Sequence, residues 1–404
     1  MSTLKSITTK IGSGATPRGG KNSYQSTGIT LIRSLNVYDF KFENEGLAFI
    51  DNDQAAELSN VAVEADDILL NITGASVARC CMVPPRVLPA RVNQHVAIIR
   101  VDQRKADPYY VLYSINSPQY KDRLLAIAQG GATREALTKE TIENFEIQLL
   151  SLTAQKKISA ILSAYDDLIQ NNLRRIKILE EMAQSLYREW FVNFRFSGHE
   201  KVEFVDSELG KIPKGWEVKR VLELVKRLPA GAKYTEGNVV PRGSVPVVDQ
   251  SRSELMGFHD NEPDHVASSD NPIIIFGDHT CKMQLMVEPF SVGPNVVPFS
   301  SASCLPITYL FFLIRNLVET REYKRHWTEL VNKKVVVELN DLPAQFSNFT
   351  KAPFAEIHCL IQKNLILRQT RDLLLPKLIS GELDVEDLDI RITAAADVPI
   401  TAAV

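Results

Sequence analysis

Apolar residues, with Asn172 among them, recur between positions 155 and 196 at alternating steps of four and three: Ile158, Leu162, Tyr165, Ile169, Asn172, Ile176, Leu179, Ala183, Leu186 and Trp190. That spacing is a heptad seam, and it predicts a long amphipathic helix whose one stripe needs a partner helix. Lys156, Lys157, Asp166, Asp167, Arg174, Arg175, Lys177, Glu180 and Glu181 fill the other faces, and neither Pro nor Gly interrupts the run before Gly198. About 35 to 40 helical residues at about 1.5 Å each make a rod of roughly 50 to 60 Å, longer than an ordinary globular helix.

The expected partner lies near the other end of the chain, where Phe354 to Leu378 is again helical in pattern and rich in Leu and Ile. Leu168-Ile169-Gln170-Asn171-Asn172-Leu173 and Leu360-Ile361-Gln362-Lys363-Asn364-Leu365 match locally. Each sets an Asn in an otherwise apolar stripe, a device that fixes register at some cost in stability. We expect antiparallel pairing, with Leu162, Ile169, Asn172 and Ile176 on one helix and Leu360, Asn364 and Leu378 on the other. The second helix is expected to be the shorter, because Pro376 disturbs its last turns and Ser380-Gly381 supplies a stop. Beyond it, an acidic stretch through Asp389 and the Ala-rich end read as a flexible tail.

The segments before the two helices mix short apolar runs with Gly and Pro punctuation. Strands are predicted at Ile29 to Ile32, Ile68 to Ile72 and Val96 to Val101, followed by helices at Pro108 to Ser117 and Pro118 to Ala128. The second segment repeats that order, with strands at Val245 to Val248, Ile273 to Phe276 and Val335 to Leu339 and a helix at Pro306 to Leu330. Side-by-side identity is weak, so the reading is a duplicated architecture whose globular parts have diverged. The fold class is α+β: two globular mixed α/β domains separated by two long antiparallel coiled-coil helices, in a pseudo-twofold arrangement. The boundaries are 1–151 for the first domain, 152–197 for the central helix, 207–351 for the second domain, 353–385 for the C-terminal helix and 390–404 for the tail.

Composition narrows the class of protein. The 404 residues are 45% hydrophobic and 24% charged, which is globular composition with room for two domains. No run of about 18 apolar residues occurs and the N-terminus lacks the apolar core of a signal peptide, so a cytoplasmic protein is expected. The five cysteines include the adjacent pair Cys80-Cys81 and no C-x-x-C spacing. They are expected to be reduced and mostly buried. A formal charge of -3 argues against coating DNA with bulk positive charge, yet leaves open a basic face.

Three stretches imitate catalytic motifs. Gly12 to Lys21 resembles a phosphate loop, but Ala15 and Asn22 occupy two of the positions that a Walker sequence requires. Asp107-Pro108-Tyr109-Tyr110 has the look of an adenine-methyltransferase motif with Tyr in its third place; an Asp N-cap followed by Pro at the first helical position accounts for it better. Asp278-His279 with Cys281 offers metal-binding chemistry without a second ligand cluster.

Several segments resemble one family. Asp67-Ile68-Leu69-Leu70-Asn71-Ile72-Thr73-Gly74-Ala75-Ser76, Val92-Asn93-Gln94-His95-Val96 and Gly130-Gly131-Ala132-Thr133-Arg134 look like the first target-recognition domain of type I restriction–modification specificity subunits. Ala164 to Asn172 with Leu186 to Phe191 resembles that family's central conserved region, Leu367 to Leu378 its C-terminal one, and Gly210 to Val218 the usual opening of its second domain. The likeness spans about residues 4 to 390. Phe276-Gly277-Asp278-His279-Thr280 stands where the first domain has Asn71 to Gly74, which is similar to another recognition subtype. The resemblance implies a restriction-system, DNA-binding subunit that is not itself an enzyme. It implies double-stranded DNA, two methyltransferase (modification) subunits docked on the helices and restriction/translocase subunits as partners. No catalytic, cofactor or metal residue is expected in this chain; S-adenosylmethionine would sit in the modification subunits and ATP with Mg in the restriction subunits. The alternatives are a self-contained DNA methyltransferase or nuclease, and a coiled-coil adaptor that binds no DNA.

In such a subunit, loop residues carrying paired donors and acceptors are the candidates for base reading, and hydroxyls, amides and cations those for phosphate. In the first domain these are Ser13, Thr16, Arg18, Lys21, Arg33, Asn36, Asn71, Thr73, Arg79, Asn93, Gln94 and Arg134. Lys233, Tyr234, Gln250, Arg252, His279, Thr280, Lys282 and Asn295 are their counterparts in the second, with Lys333 and Lys334 for phosphates. Two unlike domains predict an asymmetric, split site whose gap the helices set.

Overall fold

The computed structural model describes residues 1–130, 136–232, 234–251, 255–302, 305–320, 322 and 324–391. The chain forms two compact units, one from Met1–Asn171 with the chain from Asn364 onward, the other from residues 172–363.

In the first unit, Ser2–Thr3 pairs antiparallel with Glu146–Ile147, and one helical turn, Leu4–Ile7, follows. The main sheet has the order Thr8–Ser13, Val96–Val101, Ile68–Asn71, Cys80–Met82, antiparallel throughout. A second sheet runs Ala48–Ile50, Ile29–Ile32, Ala90–Val92, Ala62–Val63, and its central pair is parallel. Alternation along the strands sends Ile68, Leu70, Cys80, Ala97 and Ile99 into one core and Leu69, Cys81, Val96 and Ile98 into another. Burial on both faces is why these strands read as unbroken apolar runs. Cys80 and Cys81 therefore point into different cores, and burial pushes the Cys80 thiol up to about 12 and that of Cys81 well above its ordinary value.

The second unit repeats this plan. Glu217–Arg220 pairs with Lys334–Val337, a turn of helix, Val221–Leu224, follows, and the main sheet has the order Val225–Arg227, Val296–Ser301, Ile273–Gly277, Met283–Met286. Its companion sheet runs Leu255–His259, Val245–Val248, Ser291–Val292, again with a parallel pair. Single hydrogen bonds repeat as well. Asn93 N donates to Ile32 O at 3.0 Å where Gly293 N donates to Val248 O at 2.8 Å, and Leu137 N donates to Ile72 O at 2.9 Å where His326 N donates to Asp278 O at 2.8 Å. Buried Tyr110 reaches Gln148 O through its hydroxyl at 3.0 Å, and buried Tyr309 receives Glu338 N on its own at 3.2 Å. The duplication read from element order thus extends to individual backbone contacts.

The central helix spans Leu152–Tyr187 and continues as a wide π turn, Arg188–Val192, closed by Asn193 N donating to Arg188 O at 2.8 Å. Ile158, Leu162, Ile169, Asn172 and Ala183 are all buried, while Leu168, Ile178 and Met182, off the seam, are exposed. In the first unit Ile158 and Leu162 share a core with Leu375, Leu378 and Ile379. In the second, Tyr187 lies 5.9 Å from Phe346 and Arg175 is ion-paired with Glu356. Rising numbers on one helix meet falling numbers on the other in both units, so the pairing is antiparallel.

Two expectations are corrected. The second long helix runs Leu342–Ile379, 38 residues against 36 for the first, and passes through Pro353 and Pro376. Residues 342–351 therefore belong to this helix. Each interior proline costs about 3 kcal/mol, and a heptad seam of buried Phe346, Thr350, Ile357, Leu360, Asn364, Arg371, Leu375 and Leu378 holds the helix across both. It stops where Gly381 takes φ 75 and donates its N–H to Leu378 O at 3.2 Å. The helix expected over Pro306 to Leu330 is two pieces, Ile307–Ile314 and Trp327–Val331. Asn316, at φ 65, turns the chain out of the first piece as a left-handed C-terminal residue does.

Candidate nucleic-acid interface

Three turns meet at one end of the main sheet in the first unit. The chain leaving Thr8–Ser13 is bonded across the Asn93–His95 turn by Gly14 N to Val96 O at 3.0 Å and Ala15 N to Val92 O at 3.1 Å. The turn after Ile68–Asn71 joins them through Ile72 N to His95 O at 3.0 Å. Gly14 is required here, because a Cβ on it would lie 2.0 Å from Val92 O. Gly14→Ala is expected to cost ~1–3 kcal/mol by overpacking, measured by chemical denaturation; an unchanged midpoint would show that the loop is free to move away.

That close approach builds a chain of side-chain hydrogen bonds. Thr16 Oγ1 donates to Gln94 Oε1 at 2.6 Å, Gln94 Nε2 lies 3.1 Å from His95 Nε2, and His95 Nδ1 lies 2.7 Å from Thr73 Oγ1. Thr16, Gln94 and Thr73 were candidates from sequence; His95 was not. Its signal was its place beside Gln94 at the start of a strand, where the turn holds it facing a neighbouring loop.

The remaining candidates of the first unit divide. Ser13 is exposed at its strand end, Lys21 is exposed in the turn Gly20–Ser23, and Arg18 is 87% exposed beside Glu57 at 3.5 Å. The guanidinium of Arg79 lies 4.9 Å over the Tyr38 ring. Arg33 stacks on Tyr24 at 5.3 Å and donates to Gly46 O, so its fork is partly committed within the chain. Asn93 is buried and accepts from His95 N at 3.1 Å. Asn36 and Asn71 are corrections: both are fully buried. Asn36 Nδ2 donates to Glu43 O at 2.9 Å and Asn71 Nδ2 to Ser34 O at 2.9 Å. They brace the loop after Ile29–Ile32 from inside, since a buried amide is held by the carbonyls that satisfy it. Arg134 lies outside the described residues. Asp107 caps Pro108–Asn116, accepting Tyr110 N at 3.0 Å, and also accepts Ser159 Oγ at 2.5 Å.

The second unit gathers Gln250, His279, Thr280, Lys282 and Asn295 at the corresponding end of its main sheet. Gln250 accepts His279 N on Oε1 and Thr280 Oγ1 on its backbone oxygen, each at 3.0 Å, and Lys282 Nζ reaches Ser251 O at 3.4 Å. Asp278 N donates to Asn295 O at 2.8 Å, and Asn295 takes φ 60. Asp278 is spent on structure, its Oδ1 receiving Trp327 N at 2.8 Å. Tyr234 is a further correction: it is 6% exposed and stacked on His259 with ring centres 4.3 Å apart, so it braces the unit's interior. Lys333 faces Glu329 at 3.8 Å, and Lys334 pairs with Glu208 at 2.5 Å on the hairpin Phe204–Pro213. Lys233 and Arg252 lie outside the described residues.

Pairing register aligns the two clusters. Val96 faces Asn71 as Val296 faces Gly277, which sets His95 opposite Asn295 in the comparison, Gln94 opposite Pro294 and Thr73 opposite His279. The backbones carry the same bonds and different side chains.

Residues 2–181 match the type I restriction modification DNA specificity domain. The chain is 26% identical over 304 residues to the type I restriction enzyme MjaIX specificity subunit of Methanocaldococcus jannaschii, covering 69% of this chain and 70% of that one. It is 23% identical to the putative MjaX specificity subunit of the same organism, over 73% and 68% of the two chains. In fold it is similar to the S subunit of the type I restriction–modification system of M. genitalium, with a TM-score of 0.55, 15% identity and coverage of 93% and 95%. Two unlike units on a shared plan, each with one end of a pair of long helices, are the architecture these similarities share. The chain is similar to type I restriction–modification specificity subunits over most of its length, and its first 181 residues carry the match to their DNA specificity domain.

Proposed function

We propose that each unit reads one half of an asymmetric, split DNA site in the major groove, and that the chain performs no catalysis of its own. The observation that carries this reading is the backbone equivalence with changed side chains: Gln94, His95 and Thr73 on one frame, Pro294, Asn295 and His279 on the other. Two copies of one reader would read the same bases twice, as symmetric dimers do on palindromes. These two present different chemistry from the same positions.

Partners complete the activity. Ile366, Leu373 and Leu168 in the first unit and Ile178, Met182 and Ile361 in the second are large apolar residues exposed on the long helices. We assign these faces to two docked modification subunits that bring S-adenosylmethionine, with restriction/translocase subunits supplying ATP and Mg chemistry. The long helices set the gap between the half-sites. No helix among the described residues is long and apolar enough to cross a membrane, and the substrate places the complex in the cytoplasm with the chromosome.

The test is an exchange of residues 207–341 for the recognition segment of another specificity subunit, the cut now falling before Leu342. Methylome sequencing is expected to show one half of the modified sequence replaced and the other retained. Both halves altered would overturn the modular reading, and a reconstituted complex with no sequence preference would overturn DNA specificity itself.

A further inference from the structure

We infer that Gln94 reads an adenine in the half-site of the first unit, and that Thr16 and His95 are positioning residues that fix which way its amide faces. The inference rests on the specificity reading above and deepens it.

An exposed glutamine ordinarily turns its amide freely, so its oxygen and nitrogen exchange places at little cost. Gln94 is held at both ends. Its oxygen accepts Thr16 Oγ1 at 2.6 Å, and its nitrogen meets His95 Nε2 at 3.1 Å. In this orientation of the amide its nitrogen donates, so Nε2 of His95 accepts and the ring proton sits on Nδ1. That proton is donated to Thr73 Oγ1 at 2.7 Å. The histidine backbone is fixed in turn, its N–H on Asn93 Oδ1 at 3.1 Å and its carbonyl accepting Ile72 N at 3.0 Å. Each bond in the series determines the polarity of the next.

One lone pair on Oε1 and one hydrogen on Nε2 remain for a ligand. A side-by-side acceptor and donor is the complement of the adenine edge in the major groove, which presents N6–H as donor and N7 as acceptor. Guanine presents two acceptors there, and thymine an acceptor beside a methyl group. An amide held in this orientation sets the direction of the donor–acceptor pair, so A·T is distinguished from T·A. Of the sequence candidates, Arg33 is half committed and Asn36 and Asn71 are buried, which leaves Gln94 as an exposed amide oriented by its neighbours. The second unit has Pro294 at the aligned position, where no such amide exists.

The experiment uses the full-length chain assembled with its modification subunits, with competition binding on duplexes that differ at single bases and methylome sequencing in cells. Gln94→Ala is expected to lower discrimination by roughly 5- to 150-fold at one adenine of the first unit's half-site, the range for loss of a bidentate contact. Every other position should keep its preference. Gln94→Glu, nearly isosteric and lacking the donor, is expected to relax the same position and carries the test should Gln94→Ala fail to fold. His95→Asn keeps a donor near Thr73 and removes Nε2, so it should relax that adenine by a smaller factor. Thr16→Ser, which keeps the hydroxyl, should restore the preference that Thr16→Val loses. A change confined to one base position is a readout that a merely structural role would not move.

Undiminished discrimination in both Gln94 variants, or relaxation at a base other than adenine, overturns the inference. Unchanged preference in His95→Asn and Thr16→Val removes the positioning roles. A wild-type complex that shows no split-site preference sinks the specificity reading instead, so the two failures are distinguishable.

Discussion

Replacing Arg371 by methionine is expected to destabilise the chain by about 3–5 kcal/mol, the cost of leaving a buried partner charge uncompensated. Arg371 Nη1 donates to Asp166 Oδ1 at 2.5 Å, its Nε and Nη2 donate to Asp372 at 3.0 and 2.8 Å, and its guanidinium lies 4.1 Å over the Phe40 ring. Tyr113 Oη donates to the other oxygen of Asp166 at 2.6 Å. The side chains of Arg371 and Asp166 are only 10% and 21% exposed, so water replaces little of what is lost. Burial already holds the Asp166 carboxyl above its ordinary range against the pull of Arg371; without the cation only the Tyr113 hydroxyl still opposes the desolvation. Urea denaturation measures the loss. Arg371→Met combined with Asp166→Leu should recover most of it, because removing both charges removes the penalty. A single variant within about 1 kcal/mol of wild type would show that the cluster is solvated and dispensable.

The second large effect concerns the ruler. Inserting one heptad into each long helix, at 171/172 and at 363/364 where the chain passes between its compact units, preserves the seam while adding about 10 Å of helix. That length corresponds to about 3 base pairs at 3.4 Å each. Methylome sequencing is expected to show a longer gap between the half-sites or no modification at all. Insertion into the central helix alone offsets its seam against its partner and should abolish modification outright. An unchanged gap with full activity after the paired insertion would remove the helices from the role of ruler.

The heptad was the most legible part of this chain, because burial along Ile158, Leu162, Ile169 and Asn172 follows from spacing alone. The strands at Ile29–Ile32, Val96–Val101 and Val245–Val248 were equally plain, as apolar runs covered on both faces. The N-terminal reach of the second long helix was hidden by Pro353, since local chemistry argues for a break and only a partner helix overrides it. At the interface, residue type gave Thr16, Gln94 and Thr73 but also Asn36, Asn71 and Tyr234. An asparagine that braces a loop from within and one that faces solvent look alike in sequence; only the fold decides which carbonyls surround it. His95 was missed because its importance lies in what it does to a neighbour.

The repeated hydrogen bonds beneath the two clusters all run between main-chain atoms: Ile72 to His95 and Asp278 to Asn295, Asn93 to Ile32 and Gly293 to Val248. A peptide group makes the same bond whatever side chain it bears. Substitutions at 94, 95 and 73, or at 279, therefore leave these bonds intact while changing the chemistry displayed, whereas Asn295, at φ 60, is confined to residues that tolerate the left-handed region. If these positions read the target as proposed, mutation is cheapest at most of the places where a new target would be acquired, so a lineage altering what it recognises meets little resistance from the need to stay folded.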